Sequence, residues 1–178
     1  YSSCKTPSEG EHKLLQFIRD NMKKSYVIYG LDADLVFLSL ASGHNNIFLL
    51  REGVHLKNGD MNTLCYVDME KVKESVIETI SEIIEAILDE KPMDVEIKMN
   101  KRHIINDFVF ICYFLGNDFL PHLEALNITH GGLDFILKKY SELYIHNIMK
   151  NKSKYIINKK YPDMINHKNL GEFIKILA

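Results

Sequence analysis

The sequence predicts an α/β fold in which a mostly parallel central sheet is flanked by helices and runs on into a helical segment. Three observations predict it. Short runs rich in β-branched and aromatic residues, Ser25–Tyr29 and Asn46–Arg51, are separated by a helix-period stretch, and a strand–helix–strand order brings the two strands side by side in parallel. Beyond residue 61 the apolar residues recur at helical spacing over long segments. Acidic residues stand just after the first strand, where open α/β sheets bind their ligands.

The elements follow in order. A first helix spans about Glu9 to Lys23, with Leu14, Leu15, Ile18 and Met22 as its apolar stripe and Glu11 extending that stripe by one turn. The strand Ser25–Tyr29 ends at Gly30, Asp34–Ala41 is a short and nearly all-apolar helix, and Asn46–Arg51 is the next strand; Asn58-Gly59 marks a turn. Met69–Glu90 is the clearest helix, with Met69, Val72, Val76, Ile80, Ile83, Ile84 and Ile87 on one face and glutamates opposite, closed by Pro92. Ile104–Leu115 is apolar around its whole circumference and so is buried, with Gly116 as C-cap and Asp118 just beyond; Asp107, near its start, reads as a capping acid. Gly131–Met149 and Leu170–Leu177 are further helices, separated by a polar, basic stretch from Lys150 to Lys160. The expected division is 1–60 as the β-α-β part, 61–126 as core helices and 127–178 as a helical extension of one domain.

Composition bounds the function. The 178 residues, 46% apolar, suffice for a real core. Lys and Arg total 22 against 24 acids, a net charge of −2, so a nucleic-acid partner would need a basic surface gathered elsewhere. Cys4, Cys65 and Cys112 form no C-x-x-C, which argues against zinc and for a reducing, intracellular setting, cytoplasmic or nuclear. No apolar run approaches the ~20 residues that span a bilayer, so no membrane partner is expected. A chain opening on Tyr1-Ser2-Ser3 without Met reads as a piece of a longer protein.

The candidate chemistry lies in five carboxylates: Glu9, Glu11, Asp32, Asp34 and Asp118. Each has a plain structural explanation. Glu9 and Glu11 are acids in a first helical turn, worth roughly 0.3–1 kcal/mol there. Asp32 can cap the helix that starts at Asp34, and Asp118 can cap a helix from Phe119 to Leu126. Taken together they strain that explanation. Glu11 shares a face with Leu15 and Ile18, and Asp34 precedes Leu35-Val36-Phe37-Leu38. Acids beside buried apolar runs need a positive partner. Magnesium, or manganese, suits hard oxygen donors and points to phosphate-ester chemistry.

Pro7-Ser8-Glu9-Gly10-Glu11-His12-Lys13, Tyr29-Gly30-Leu31-Asp32-Ala33-Asp34-Leu35, Leu50-Arg51-Glu52 and Asn106-Asp107-Phe108-Val109-Phe110 through Gly116-Asn117-Asp118-Phe119-Leu120-Pro121-His122 resemble the Xrn family of 5′→3′ exoribonucleases over nearly the whole chain. The acidic pattern is also similar, more loosely, to the flap endonuclease superfamily, which implies a PIN-like, flap-nuclease-like core. The resemblance implies that Glu9, Glu11, Asp32, Asp34 and Asp118 ligate magnesium. It implies two ions in a two-metal hydrolysis and single-stranded RNA with a 5′-monophosphate as substrate. The products would be nucleoside 5′-monophosphates.

There are departures. Ser8 stands where the family usually has Gly, and the link from Arg19 to Tyr26 is short for the family. The family's further acids and its basic pocket for the terminal phosphate belong to a segment before these motifs, and its second conserved region follows them. The missing upstream and downstream parts of the same chain are thus expected partners, and the 178 residues alone are expected to be inactive or nearly so.

Two other functions compete. Asp32-Ala33-Asp34 after an apolar strand mimics the nucleophile motif of haloacid-dehalogenase-type phosphatases, with Val36 in a loosely acceptable position, but Gly116-Asn117-Asp118 lacks the second acid that family uses and Glu9 and Glu11 go unexplained. A non-catalytic RNA- or protein-binding relative is the other. Lys150, Lys152, Lys154, Lys159 and Lys160, interleaved with Tyr155 and Tyr161, read as a solvated loop or as an RNA track, and His12 and Lys13 lie within reach of a phosphate bound at the glutamates.

Overall fold

The computed structural model describes residues 3, 5–53, 63–90, 96–116, 120–121 and 131–177. Among them the chain divides into two compact units, Tyr1–Glu74 and Ser75–Ala178. The α/β class holds.

In the first unit, α1 (Gly10–Asp20) leads to β1 (Tyr26–Tyr29), α2 (Asp34–Ala41), β2 (Ile47–Glu52) and β3 (Leu64–Asp68). β1 and β2 pair in parallel, Ile28 opposite Leu49, as their crossover through α2 requires. β3 adds an antiparallel strand on the far side of β2, with Tyr66 opposite Leu50, so the sheet is mixed, in the order β1-β2-β3. Alternation sends Ile28, Ile47 and Leu49 inward to join Leu15, Ile18, Leu35 and Leu40 of the helices in one core. The same alternation sends Val27, Tyr29 and Tyr66 outward, where they are exposed.

α1 is shorter than its apolar pattern suggests. It ends at Asp20, with Asn21 as C-cap, so Met22 falls outside the helix and is 47% exposed rather than in the stripe. The tight link that follows is closed by the Tyr26 hydroxyl donating to the Asn21 carbonyl at 2.8 Å.

α3 (Met69–Glu90) begins in this unit, and its first turns hold Lys73, only 8% exposed. The Lys73 ammonium donates to the His44 carbonyl (2.7 Å) and to Glu70 Oε2 (3.0 Å), so its charge is buried with acceptors on hand. The expected turn at Asn58-Gly59 and the stop at Pro92 lie outside the described residues.

The second unit contains α4 (Lys101–Cys112), a 3₁₀ turn (Tyr113–Leu115), α5 (Gly132–Met149) and α6 (His167–Leu177). α4 is buried on most of its surface, as its composition predicts, and Gly116 ends the 3₁₀ turn with φ +85°, a value glycine adopts without cost. The cap at its other end is Asn100, whose Oδ1 accepts from the His103 N–H at 3.3 Å.

Asp107 is therefore not a capping acid. It sits mid-helix at 0% exposure, and its carboxylate accepts three bonds, from the Tyr140 hydroxyl (2.7 Å), the Ile156 N–H (3.0 Å) and the Ile157 N–H (2.6 Å). Burial outweighs those three donors and raises its carboxyl to about 6. Around it Tyr140, Tyr144 and Phe173 pack edge-on or tilted.

The basic stretch is ordered by the same network. Ile156 is buried, Ile157 bridges to Ile165, Lys152 pairs with Glu172 at 3.0 Å, and Tyr155 stacks on His103 while its hydroxyl accepts from the Asn100 N–H. Tyr155 is a packing residue, not a free platform for bases.

Candidate metal centre

Glu9 and Glu11 enter the site from the start of α1. Ser8 turns the chain with φ +85°, a left-handed conformation that costs an L-residue roughly 1–2 kcal/mol. Here glycine would fit without strain. Glu9 then takes the N-cap position in extended backbone, makes no capping bond with its side chain, and lies 3.7 Å from His12 Nδ1. Its carboxylate is thus left for another use. Glu11, in the first turn, is half-buried.

Asp32 and Asp34 enter from the loop between β1 and α2. Gly30 continues the ladder, its N–H donating to the Leu50 carbonyl at 3.3 Å. A side chain on Gly30 would run into the tip of Leu35 of α2, so the glycine leaves Leu35 room to pack against the strand end. Arg51, from β2, donates through Nη2 to the Leu31 carbonyl and holds the loop from the other side. Asp32 Oδ1 accepts from the Asp34 N–H at 3.0 Å, capping α2 from one residue before its formal N-cap, Ala33. One oxygen of Asp32 has a structural task and the other does not. Asp34 is half-buried, and Asp32 is exposed.

The two pairs face each other. The Glu11 carboxyl is held above its ordinary value first by burial, then by the negative charges of Asp32, Asp34 and Glu9, with His12 opposing. Glu11 and Asp32 line one hollow of ≈ 320 Å³ between the start of α1 and the end of β1, together with Gly10, Leu14, Tyr29 and Leu35. The donor set is wholly carboxylate, its members repel one another, and a hard divalent cation is the ligand class that relieves this. Among the described residues no three acidic, His or Cys side chains are close enough to form a metal-holding group. The four acids converge without closing a cage. Asp118, with Asn117 and Phe119, lies outside the described residues, and the path stops two residues before it at Gly116.

Arg51 is a positioning residue that the acids alone did not suggest; its signal was the triplet Leu50-Arg51-Glu52. Glu52 Oε1 accepts from the Tyr29 hydroxyl at 2.8 Å, and that bond and charge raise the Tyr29 phenol above its usual value. The triplet thus braces both β1 and the Asp32 loop.

Residues 1–53 match the family model described as the XRN 5′-3′ exonuclease N-terminus, and residues 98–177 match the model described as the Xrn1 helical domain. The chain is 31% identical to 5′-3′ exoribonuclease 2 of Arabidopsis thaliana, with 99% of this chain and 20% of that protein aligned. It is 31% identical to 5′-3′ exoribonuclease 1 of Saccharomyces cerevisiae over 82% of this chain and 10% of that protein, and 33% identical to 5′-3′ exoribonuclease 1 of Homo sapiens over 79% and 9%. The chain thus spans a fifth or less of the length of these curated relatives. No described helix is long and apolar enough to cross a membrane.

Proposed function

The chain belongs to the Xrn family of 5′→3′ exonucleases, and from that premise we propose that it carries part of the active centre of a metal-dependent 5′→3′ exoribonuclease. The substrate is single-stranded RNA with a 5′-monophosphate, and the products are nucleoside 5′-monophosphates. The observation that supports this most is the effect of Asp32, Asp34 and Glu9 on the partly desolvated Glu11, which lines one hollow together with Asp32. Of the charges that act on Glu11, three are carboxylates and one, His12, opposes them.

The residues present suit magnesium or manganese. When bound, such ions polarise the phosphate, lower the pKa of an attacking water and stabilise the leaving oxygen. The chain's own part is to hold oxygens in place. Glu11 and Asp34, half-buried, are the inner donors; Glu9 and the unoccupied oxygen of Asp32 are the outer ones, and Asp118 is the fifth. Arg51 and Gly30 fix the loop that aims Asp32 and Asp34.

In this division of labour residues 1–60 carry four of the acids, 61–126 carry the fifth and 127–178 form a helical extension. The remaining ligands and the pocket for the terminal phosphate are assigned to other parts of the same polypeptide, so these 178 residues alone are inactive or nearly so. The enzyme is intracellular, cytoplasmic or nuclear.

The test is decay of 5′-phosphorylated against 5′-hydroxyl RNA by the full-length polypeptide, with magnesium and with EDTA. Expected is stepwise release of mononucleotides from the phosphorylated RNA only, abolished by EDTA and by Glu11→Gln with Asp34→Asn. Undiminished decay in EDTA, or by the double variant, overturns the metal site. Processive decay by the 178-residue chain alone overturns its assignment as an incomplete piece.

A further inference from the structure

We propose that a cationic pocket at the Asn100 end of α4 holds an internal phosphodiester of the RNA substrate. This deepens the exoribonuclease reading and rests on it. The pocket, ≈ 360 Å³, lies within the second unit and is bounded by two segments far apart in sequence. One side is the first turns of α4, with Arg102, His103 and Asn106; the other is the end of the basic stretch, with Asn158 and Lys159.

Its chemistry is that of an anion site with no acid in its wall. Arg102 and Lys159 stand exposed, and among the described residues neither forms an ion pair. Two other basic side chains of this stretch are already engaged, Lys152 with Glu172 and Lys154 with the Lys98 carbonyl, while Lys150 and Lys160 are exposed but do not line the pocket. The walls are fixed. His103 stacks on Tyr155 with ring centroids 4.6 Å apart and lies 3.3 Å through Nδ1 from the Ile157 carbonyl, while Tyr155 is itself held by the Asn100 N–H. A carbonyl only accepts, so Nδ1 carries the hydrogen. The helix end does not carry the inference, since its His103 N–H is already satisfied by Asn100.

Two cations on opposite sides of an open, acid-free pocket suit a phosphate group. The position favours a phosphate within a chain. α4 and its 3₁₀ turn run ~20 Å from Asn100 to Gly116, and Gly116 stands two residues before Asp118 in the sequence. A strand that meets the chain near Gly116 reaches the pocket only several nucleotides further along. A chain of net charge −2 can still meet RNA where two cations face one acid-free pocket.

The experiment is fluorescence anisotropy of a 5′-phosphorylated RNA of about ten nucleotides, within the site sizes usual for single strands, on the full-length polypeptide in EDTA over a range of salt. Arg102→Glu with Lys159→Glu is expected to weaken binding about tenfold and to lower the magnitude of the salt slope by roughly 1.4, the value for two contacts on a single strand. Lys138→Glu with Lys168→Glu, the same change in net charge elsewhere, is expected to change neither. Equal weakening by both double variants, or no weakening by the first, overturns the pocket. If inorganic phosphate or a mononucleotide shifts the His103 and Asn106 resonances while the longer RNA binds no better than these do, the site is one for free phosphate and the backbone assignment fails. Should the charge reversals lower the melting temperature, Arg102→Gln with Lys159→Gln takes their place, with about threefold weakening expected and unchanged binding overturning the proposal. Failure of the exoribonuclease reading looks different: the wild type then neither binds nor degrades RNA, whereas failure of the pocket alone leaves wild type and variant equally active and equally tight.

Discussion

Asp107 and the Glu9–Glu11–Asp32–Asp34 group are the same functional group in opposite circumstances. Asp107 is fully buried and accepts three hydrogen bonds, from a tyrosine and two backbone amides. The four acids of the first unit are half-buried or exposed, and what surrounds Glu11 is chiefly other carboxylates. A carboxylate with donors on it is structural: it ties α4 to α5 and to the segment at Ile156. Glu11, set among other carboxylates, holds its proton more tightly than usual, the mark of a charge placed at a cost to the fold. The donor inventory around an acid separates the two cases; proximity to apolar sequence does not.

The largest effect that can break this comparison is at the buried acid. Asp107→Ala removes the acceptor for three buried donors and is expected to cost ~3–5 kcal/mol, read as a fall in the urea midpoint. A loss below ~1 kcal/mol would mean the network is ornamental.

Next come the acids of the site. Glu11→Gln or Asp34→Asn in the full-length polypeptide is expected to lower exoribonuclease turnover by about 10²–10³-fold while leaving the melting temperature unchanged or slightly raised, since each relieves repulsion. Loss of stability with retained turnover would exchange the roles of the two regions.

The pH dependence separates them further. The Asp107 carboxyl binds its proton more tightly folded, at about 6, than its ordinary value of 3.8. The stability it contributes is therefore fully present below 3.8 and is lost as pH rises through about 6, up to ~3 kcal/mol in all. Glu11 is raised too, so its share has the same sign. Denaturant titrations from pH 4 to 7.5 should show the fall, Asp107→Asn should remove most of it, and magnesium should flatten only the part that arises from Glu11.

The smallest effect is at Ser8. Ser8→Gly relieves the positive φ but frees the unfolded chain, so a net gain of ~0.5–1 kcal/mol is expected, with turnover unchanged. A destabilised variant would show that the Ser8 side chain has a task of its own.

How far the sequence carried this is visible residue by residue. α2 and α3 begin and end where their patterns place them, Asp34–Ala41 and Met69–Glu90, because apolar spacing and flanking breakers agree. The β1 and β2 pair and its parallel direction were legible for the same reason. β3 was not, because Leu64-Cys65-Tyr66-Val67 shows no apolar–polar alternation and runs straight into a helix. Asp107 was misread since its partners, Tyr140, Ile156 and Ile157, are remote in sequence, and long-range donors leave no local mark. Tyr155 was misread likewise, its ring being occupied by His103. Glu9, Glu11, Asp32 and Asp34 were singled out by their motifs; composition and periodicity alone would have left them as caps and first-turn acids.

Gly30 touches no ligand in any of these readings, yet the Leu35 side chain occupies the space its own would need. A replacement must displace the tip of the Leu35 side chain, which lies in the opening turn of α2 next to Asp34. In a saturation screen scored by growth, tolerance at this position should fall with side-chain size, alanine faring best because only the tip of Leu35 must move. Gly10, whose added methyl would meet open space, should accept alanine silently.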